Sequence, residues 1–470
     1  MKNQAVRAVQ LWLVCMFFLA AGANAQVSLI AKGTLTTSRA GFYHDLSGLH
    51  ETLENGAAAD LLGGLGSGMT WVSGNTFLAV PDRGPNAIPF NPGIDDTVGY
   101  INRFHTITME LKENHGAGLP FTITPRLEDT TLLHSLLPLA YGSGKDFDVP
   151  PGAPKENNLL RHFFTGRSDN FTPKQNSGFP FDGRFDPESI RVSRDEQTVF
   201  ISDEYGPYIY QFLRANGERV RTFTLPDEFY VQTPNTTTTS EQNGNSSGRV
   251  PNKGMEGLAI TPDGRRLVGI MQNALIQDAN EGAAAVNLLR MVVIDIPSGR
   301  TIHQFAYLLT TGSGVSDITA LNDHEFLVDE RDGKGLGDGS KAKVKQLFKI
   351  DLKNAVDISN MSGTEAATHG VPKTLFLDMV QVLNANGITN DQIPAKIEGI
   401  TLGPDVNLKH GQKMHTIWIA NDNDFEQDFG GVANSNPNQF FVFGFTDADL
   451  AGSKLKPQEH SGGFDFDFFF

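Results

Sequence analysis

Hydrophobic and polar positions alternate along this chain in short runs, and the runs come in pairs joined by turn residues. Glu188-Ser-Ile-Arg-Val-Ser leads through a turn at Arg194 to Gln197 into Val199-Phe-Ile-Ser-Asp-Glu204. Glu256-Gly-Leu-Ala-Ile, the turn Pro262-Asp-Gly-Arg265 and Leu267-Val-Gly-Ile-Met-Gln272 repeat the figure. Asp317-Ile-Thr-Ala-Leu with Phe326-Leu-Val-Asp-Glu330, and Glu398-Gly-Ile-Thr-Leu with Ile417-Trp-Ile-Ala-Asn-Asp422, repeat it again. A weaker copy comes earlier, Met69-Thr-Trp-Val followed by Phe77-Leu-Ala-Val-Pro-Asp82. A period of two between turn residues predicts β-hairpins.

Each later hairpin is followed by further strand patterns, such as Tyr208 to Leu213 and Val220 to Leu225, or Leu289 to Ile296 and Thr301 to Leu308. A four-stranded unit repeated along the chain predicts an all-β fold, a β-propeller of five to six four-stranded blades with loop insertions. Five copies are readable, and a sixth has room in residues 26–66 or in the tail. Ile30 to Thr36 is expected to join the last blade, because closure removes exposed strand edges. Two packed β-sandwiches are the alternative, against which the repetition weighs. Two stretches break the pattern. Residues 134–180, with Pro150, Pro151 and Pro154, read as an irregular insertion, and residues 231–251 as a low-complexity loop.

Composition fits many turns: 49 of the 470 residues are Gly and 24 are Pro. The formal net charge of −16 makes a nucleic-acid partner unexpected, since backbone phosphates are held by clustered Lys and Arg. Residues 1–25 read as a cleaved signal peptide, with Lys2 and Arg7 before an apolar core and Ala23-Asn24-Ala25 before Gln26. The apolar run, about ten residues, is short of the roughly 20 that cross a bilayer. The single cysteine, Cys15, lies inside that segment, so the exported chain holds no disulfide and no thiolate metal site. No later segment is long and apolar enough to span a membrane, and the expected location is secreted or periplasmic. Residues 26–446 then form one propeller domain and 447–470 a tail. Its end, Phe464-Asp-Phe-Asp-Phe-Phe-Phe470, reads as an apolar edge strand or as a C-terminal recognition signal.

The candidate chemistry lies in acids at the hairpin ends. The first residue of one antiparallel strand lies beside the last of its partner, so Glu188 neighbours Asp203 and Glu204. By the same geometry Asp317 neighbours Asp329 and Glu330, and Glu398 neighbours Asp422 and Asp424. Blade symmetry gathers these ends, with Glu256, around one mouth of the central channel. Crowded carboxylates repel and call for a cation. Oxygen donors without His or Cys suit Ca²⁺, and Mg²⁺ or Mn²⁺ less well. The expected metal ligands are Glu188, Asp203, Glu256, Asp329, Glu398, Asp422 and Asp424. Arg83 and Arg331, each beside a site acid, are placed to grip an anionic substrate. No nucleophile elbow, P-loop or His-rich metal motif occurs.

Asp186-Pro-Glu-Ser-Ile, Ile201-Ser-Asp-Glu-Tyr-Gly206, Asn252-Lys-Gly-Met-Glu-Gly-Leu258, Leu327-Val-Asp-Glu-Arg-Asp332 and Ile419-Ala-Asn-Asp-Asn-Asp424 resemble, in order, the motifs of the phytase-like domain family. Its members are often labelled as having esterase-like activity of phytase. The resemblance covers roughly residues 40–446 and implies a secreted β-propeller with calcium-dependent phosphoesterase chemistry. The leading expectation is a metal-dependent hydrolase of phosphate or carboxylic esters acting on a small anionic or ester substrate. In it Glu204 or Glu330 takes a proton from water, and Arg83 or Arg331 steadies the developing charge. The competing expectation is a non-catalytic propeller that binds a ligand or partner, with calcium purely structural.

Overall fold

The structure, a computed structural model, describes residues 27–85, 91–95, 97–206, 208–310, 312–407 and 413–459. Five antiparallel sheets of four main strands follow one another along the chain. The first blade is Gly68–Ser73, Thr76–Val80, Arg103–Thr108 and Arg126–Leu132. The second is Pro187–Val192, Thr198–Asp203, Ile209–Leu213 and Arg219–Phe223, and the third Met255–Ile260, Arg266–Met271, Leu288–Asp295 and Arg300–Leu308. Gly314–Ala320, Glu325–Arg331, Lys345–Asp351 and Lys373–Asp378 make the fourth. The fifth takes Lys396–Leu402, Lys413–Asp422 and Asn438–Phe445 from the C-terminal part of the chain and Ser28–Leu35 from the N-terminal part. That last pairing is antiparallel, with Leu29 opposite Phe443 and Leu35 opposite Asn438, and it closes the ring as the pattern predicted.

The first strand of every blade packs against the first strands of both neighbours, right round the ring. These inner strands are buried on both faces, with polar side chains such as Glu188, Ser189 and Arg191 buried along with the apolar ones. The core is divided accordingly into clusters lying between blades. Trp418 of the fifth blade, fully buried, meets Phe77 of the first with ring centroids 4.5 Å apart. At the axis the backbones approach so closely that a Cβ on Gly68 would lie 2.6 Å from the Cα of Ser189.

Five blades, and no sixth, are present among the described residues: residues 36–66 contribute only the short hairpin Thr37–Ser38 with Gly41–Phe42. The stretch 231–251, expected as a loop, carries the helix Thr238–Gly244. Thr237 caps it by accepting from the Ser240 amide, and buried Glu241 ties it down through Arg249 (2.7 Å) and Arg184 (3.5 Å). Its Thr-rich sequence hides one well-placed cap and one acid. Residues 134–180 contain only the two-residue strands His134–Ser135 and His162–Phe163 and one helical turn, Lys145–Phe147. The signal segment before Val27 and the Phe-rich stretch from 464 onward lie outside the described residues.

Candidate active site

The acids meet because of a repeated irregularity. In the second, third and fifth blades the hairpin register slips between Pro187 and Ile190, between Met255 and Gly257, and between Ile397 and Ile400. Glu188, Glu256 and Glu398 sit inside these bulges, where the extra residue re-aims a side chain out of the ladder. In the fourth blade the slip falls between Val315 and Asp317, so Ser316 takes the matching position and Asp317 lies one step deeper. Asp317 is a strut at the axis. Its carboxylate accepts from Arg191 at 2.8 and 2.9 Å, from the Ser189 hydroxyl at 2.9 Å and from the Ile400 amide at 3.0 Å.

Above it opens a cavity of about 420 Å³. Eight carboxylates line it, from Asp82, Asp95, Asp186, Glu188, Glu204, Glu256, Glu398 and Asp422, against four cations, Arg83, Lys253, Arg331 and Lys396. Three of those cations are engaged. Arg83 reaches Asp186 at 3.3 Å and also Asn252, Arg331 pairs with Glu398, and Lys396 lies 2.8 Å from Asp422 and also holds Asp424. Lys253 stands exposed at the rim. Gln272 binds Glu256, and the Gly254 amide donates to Glu204 at 3.0 Å.

Burial without matching positive charge holds these acids against ionisation. Glu188 is pushed well above the ordinary range by burial first and then by Glu256, Asp186, Glu204 and Glu398. Glu256 and Asp82 are raised well above it for the same first reason, with Glu204 and Asp422 respectively the largest neighbouring charges. Glu204 and Asp422 are each pushed up to about 7, again by burial first. Two groups of three acids can bring one oxygen each within 4.8 Å of one another: Asp186, Glu188 and Glu204, and Asp82, Asp422 and Asp424.

The other expected residues lie elsewhere. Glu330 does not face the channel mouth. Its strand position turns it to the opposite side of the blade, where the Tyr307 hydroxyl, the Ser313 hydroxyl (3.0 Å), the Thr310 amide (3.2 Å) and Lys373 satisfy it. Asp203 accepts from the backbone amides of Asp186, Tyr205 and Gly206 and so shapes the turn that presents Glu204. Asp329 is fully buried beneath the cavity, its carboxyl held well above the usual range chiefly by burial. Asp424 is half-buried outside the cavity wall, joined to it through Lys396. Residues not singled out from the pattern also line the cavity: Asp186 and Lys396 each stand two positions before a bulge acid, Asp95, Asn252 and Lys253 come from loops, and Thr238 opens the helix Thr238–Gly244. The flanks of the acid positions, searched for any charge, would have yielded the first two.

Over residues 60–425 the chain matches the family described as "Phytase-like: Esterase-like activity of phytase". It belongs to that family. A protein of Arthroderma benhamiae described as an "Uncharacterized secreted protein" is 28% identical over 335 residues, 62% of this chain and 61% of that protein. The match thus spans about three fifths of the curated relative's length. Among solved structures, hydrazine synthase of Kuenenia stuttgartiensis is 10% identical, with 85% of this chain and 90% of that one covered at a TM-score of 0.30. The PQQ-bound aldose sugar dehydrogenase of Streptomyces coelicolor is 11% identical, covering 81% and 95%, at 0.29. Scores this low carry no argument about chemistry. Among the described residues no helix is long and apolar enough to cross a membrane.

Proposed function

We propose that the acid-lined cavity is the active site of an exported, calcium-dependent hydrolase of phosphate or carboxylic esters. One observation carries the reading: eight carboxylates share a buried cavity with only four cations. That excess is costly unless a bound cation offsets it. The donor set fits such an ion, being oxygen throughout with neither His nor Cys, which suits Ca²⁺ better than Mg²⁺ or Mn²⁺. Asp186, Glu188 and Glu204 would hold it, since their oxygens already converge and only Asp186 of the three is ion-paired, with Arg83. Asp82, Asp422 and Asp424 are the lesser candidate, because Lys396 already serves that group. A bound Ca²⁺ supplies Lewis acidity toward a phosphoryl or acyl oxygen.

The chain's own groups supply the rest. Glu204, with its pKa near 7, can exchange a proton with water at neutral pH. Arg83, on the cavity wall and anchored by Asp186, can turn its guanidinium toward an anionic oxygen of the substrate. Arg331, anchored by Glu398 and by the Ser316 hydroxyl at 2.8 Å, offers a second donor set on the opposite wall. Lys253 at the rim favours the approach of an anion. Glu330, satisfied on the far side of its blade, has no part in this scheme.

The test is hydrolysis of p-nitrophenyl phosphate and p-nitrophenyl acetate in CaCl₂ and in EDTA, with circular dichroism on the same samples. Turnover of at least one ester, lost on chelation while the fold persists and restored by Ca²⁺, is expected. The ion pairs that already tie down three of the eight acids, Asp186, Glu398 and Asp422, favour a second reading, a binding propeller with structural calcium. Fold and ligand binding lost together on chelation, with no turnover under any condition, would establish that one instead.

A further inference from the structure

Four leucines stand in water on one small hairpin beside the second blade. Leu159 and Leu160 form its tip, closed by the bridge between Asn158 and Arg161, and are 94% and 69% exposed. The pairing of His134–Ser135 with His162–Phe163 brings Leu136 and Leu137, 47% and 57% exposed, alongside. Neighbouring apolar side chains left in solvent mark a surface that a partner covers. Arg161, exposed, lies at its edge, and Arg219 reaches the Ser135 hydroxyl at 3.3 Å. Arg221 follows two residues on, bound to the carbonyls of Ile296 and Pro297. None of these three arginines has a carboxylate partner among the described residues. Glu156 and Glu218 are the acids nearby in the sequence, so the rim is positive by one charge.

The described chain ends on the same side of the same blade. The Lys456 amide donates to the Leu321 carbonyl of the fourth blade (2.8 Å) and the Glu459 amide to the Pro262 carbonyl of the third (2.7 Å). The Gln458 side chain then reaches the Val192 carbonyl of the second (3.0 Å), and Glu459 pairs with Arg194 (3.0 Å). From that turn the Arg214 amide leads outward to the Gln197 carbonyl, and the His134 amide to the Gly217 carbonyl, both at 2.9 Å. Crossing the four strands of the blade takes about 15 Å at the usual strand spacing. Extended at about 3.3 Å per residue, residues 460–470 span roughly 36 Å, enough to pass the blade and lie along the hairpin. Their sequence complements what is there. Phe464, Phe466, Phe468 and Phe470 alternate with Asp465, Asp467 and Phe469, so an extended chain turns four rings to one side. Asp465, Asp467 and the terminal carboxylate are negative against a positive rim. Tethering raises the local concentration of this segment to the millimolar scale, which favours it over a free partner or a second copy.

We propose that residues 464–470 dock on the leucine hairpin of their own chain, phenylalanines against Leu136, Leu137, Leu159 and Leu160 and acids among the arginines of the rim. The inference is independent of the reading of the acid cavity. The test is double electron–electron resonance on the full chain, with Cys15, its sole cysteine, replaced by Ser and nitroxides on Lys155→Cys and Phe469→Cys. A single narrow distance distribution is expected, unchanged when the labelled chain is diluted tenfold with unlabelled chain. Leu159→Ser with Leu160→Ser should reduce the narrow component at least tenfold. Phe466→Ser with Phe468→Ser, which leaves the blades untouched, should do the same. A broad distribution in the parent chain, or a narrow one that survives both pairs of substitutions, would overturn the proposal. So would a narrow component that vanishes on dilution, which would assign the tail to a second copy.

Discussion

Replacing Glu204 with Gln keeps the side chain's size and leaves an oxygen to accept from the Gly254 amide, but removes a carboxyl that must ionise inside the cavity. Burial first, then Asp186, outweigh Arg83 and Arg249 and hold this group at about 7 rather than the ordinary 4.5. The folded protein therefore binds the proton more tightly than the unfolded chain. Its stability is greatest below the unfolded value and falls as pH rises through the folded one. A shift of roughly 2.5 pH units corresponds to a penalty of about 3 kcal/mol above pH 7. Gln does not carry it. In EDTA, guanidinium denaturation should show variant and wild type equal at pH 4 and the variant more stable by about 3 kcal/mol at pH 8. His105, buried in the first blade and held down at about 4, titrates in the same window with the opposite sign, but it is common to both proteins and cancels. In CaCl₂ the difference should close, because the wild type gains about 2.7 kcal/mol at 100-fold over its Kd. A variant no more stable than wild type at pH 8 in EDTA would show that Glu204 carries no ionisation penalty in the folded protein.

Glu330→Gln should leave ester hydrolysis unchanged while lowering the denaturation midpoint by the equivalent of about 1–3 kcal/mol, since it weakens buried bonds to Tyr307, Ser313 and Lys373. A large loss of turnover at unchanged stability would return Glu330 to the active site. Deleting residues through Leu35 removes the strand that closes the fifth blade and bares Asn438–Phe445. Such a chain should aggregate or fail to fold, as read by sedimentation and circular dichroism; a monomer with native melting would contradict the closure argument. Protein recovered from outside its host's cells should begin at or near Gln26, and mass-spectrometric detection of Met1 or Cys15 there would rule out signal cleavage.

The blades were legible because alternation and turn chemistry agree at every hairpin, from Glu188 to Glu204 and from Glu398 to Asp422. The convergence of Glu188, Glu256 and Glu398 followed from strand ends and pseudo-symmetry. What stayed hidden depends on single-residue offsets. Asp317 occupies the same place in its motif as Glu188 does, yet the bulge in the fourth blade falls one residue earlier relative to it, so Ser316 takes the bulge position and Asp317 faces the axis. Glu330 and Arg331 are adjacent, and strand alternation sends only one of them to the cavity, a choice that cross-blade packing makes and local pattern does not. The contributions of Asp95, Asn252 and Lys253 come from loops whose paths no periodicity encodes. The helix at Thr238–Gly244 depends on Glu241 meeting Arg184 and Arg249, both distant from it in the ring's architecture or on the far side of the loop.

The proposed chemistry depends on a calcium ion in the carboxylate-rich mouth. A crystal soaked in CaCl₂ and phosphate, with anomalous data, tests it most directly. One strong anomalous peak is expected, bounded by Asp186, Glu188 and Glu204, with oxygen ligands at about 2.3–2.6 Å and phosphate oxygens toward Arg83. A cavity holding only water, with its carboxylates still paired to Arg83, Arg331 and Lys396 alone, would contradict it.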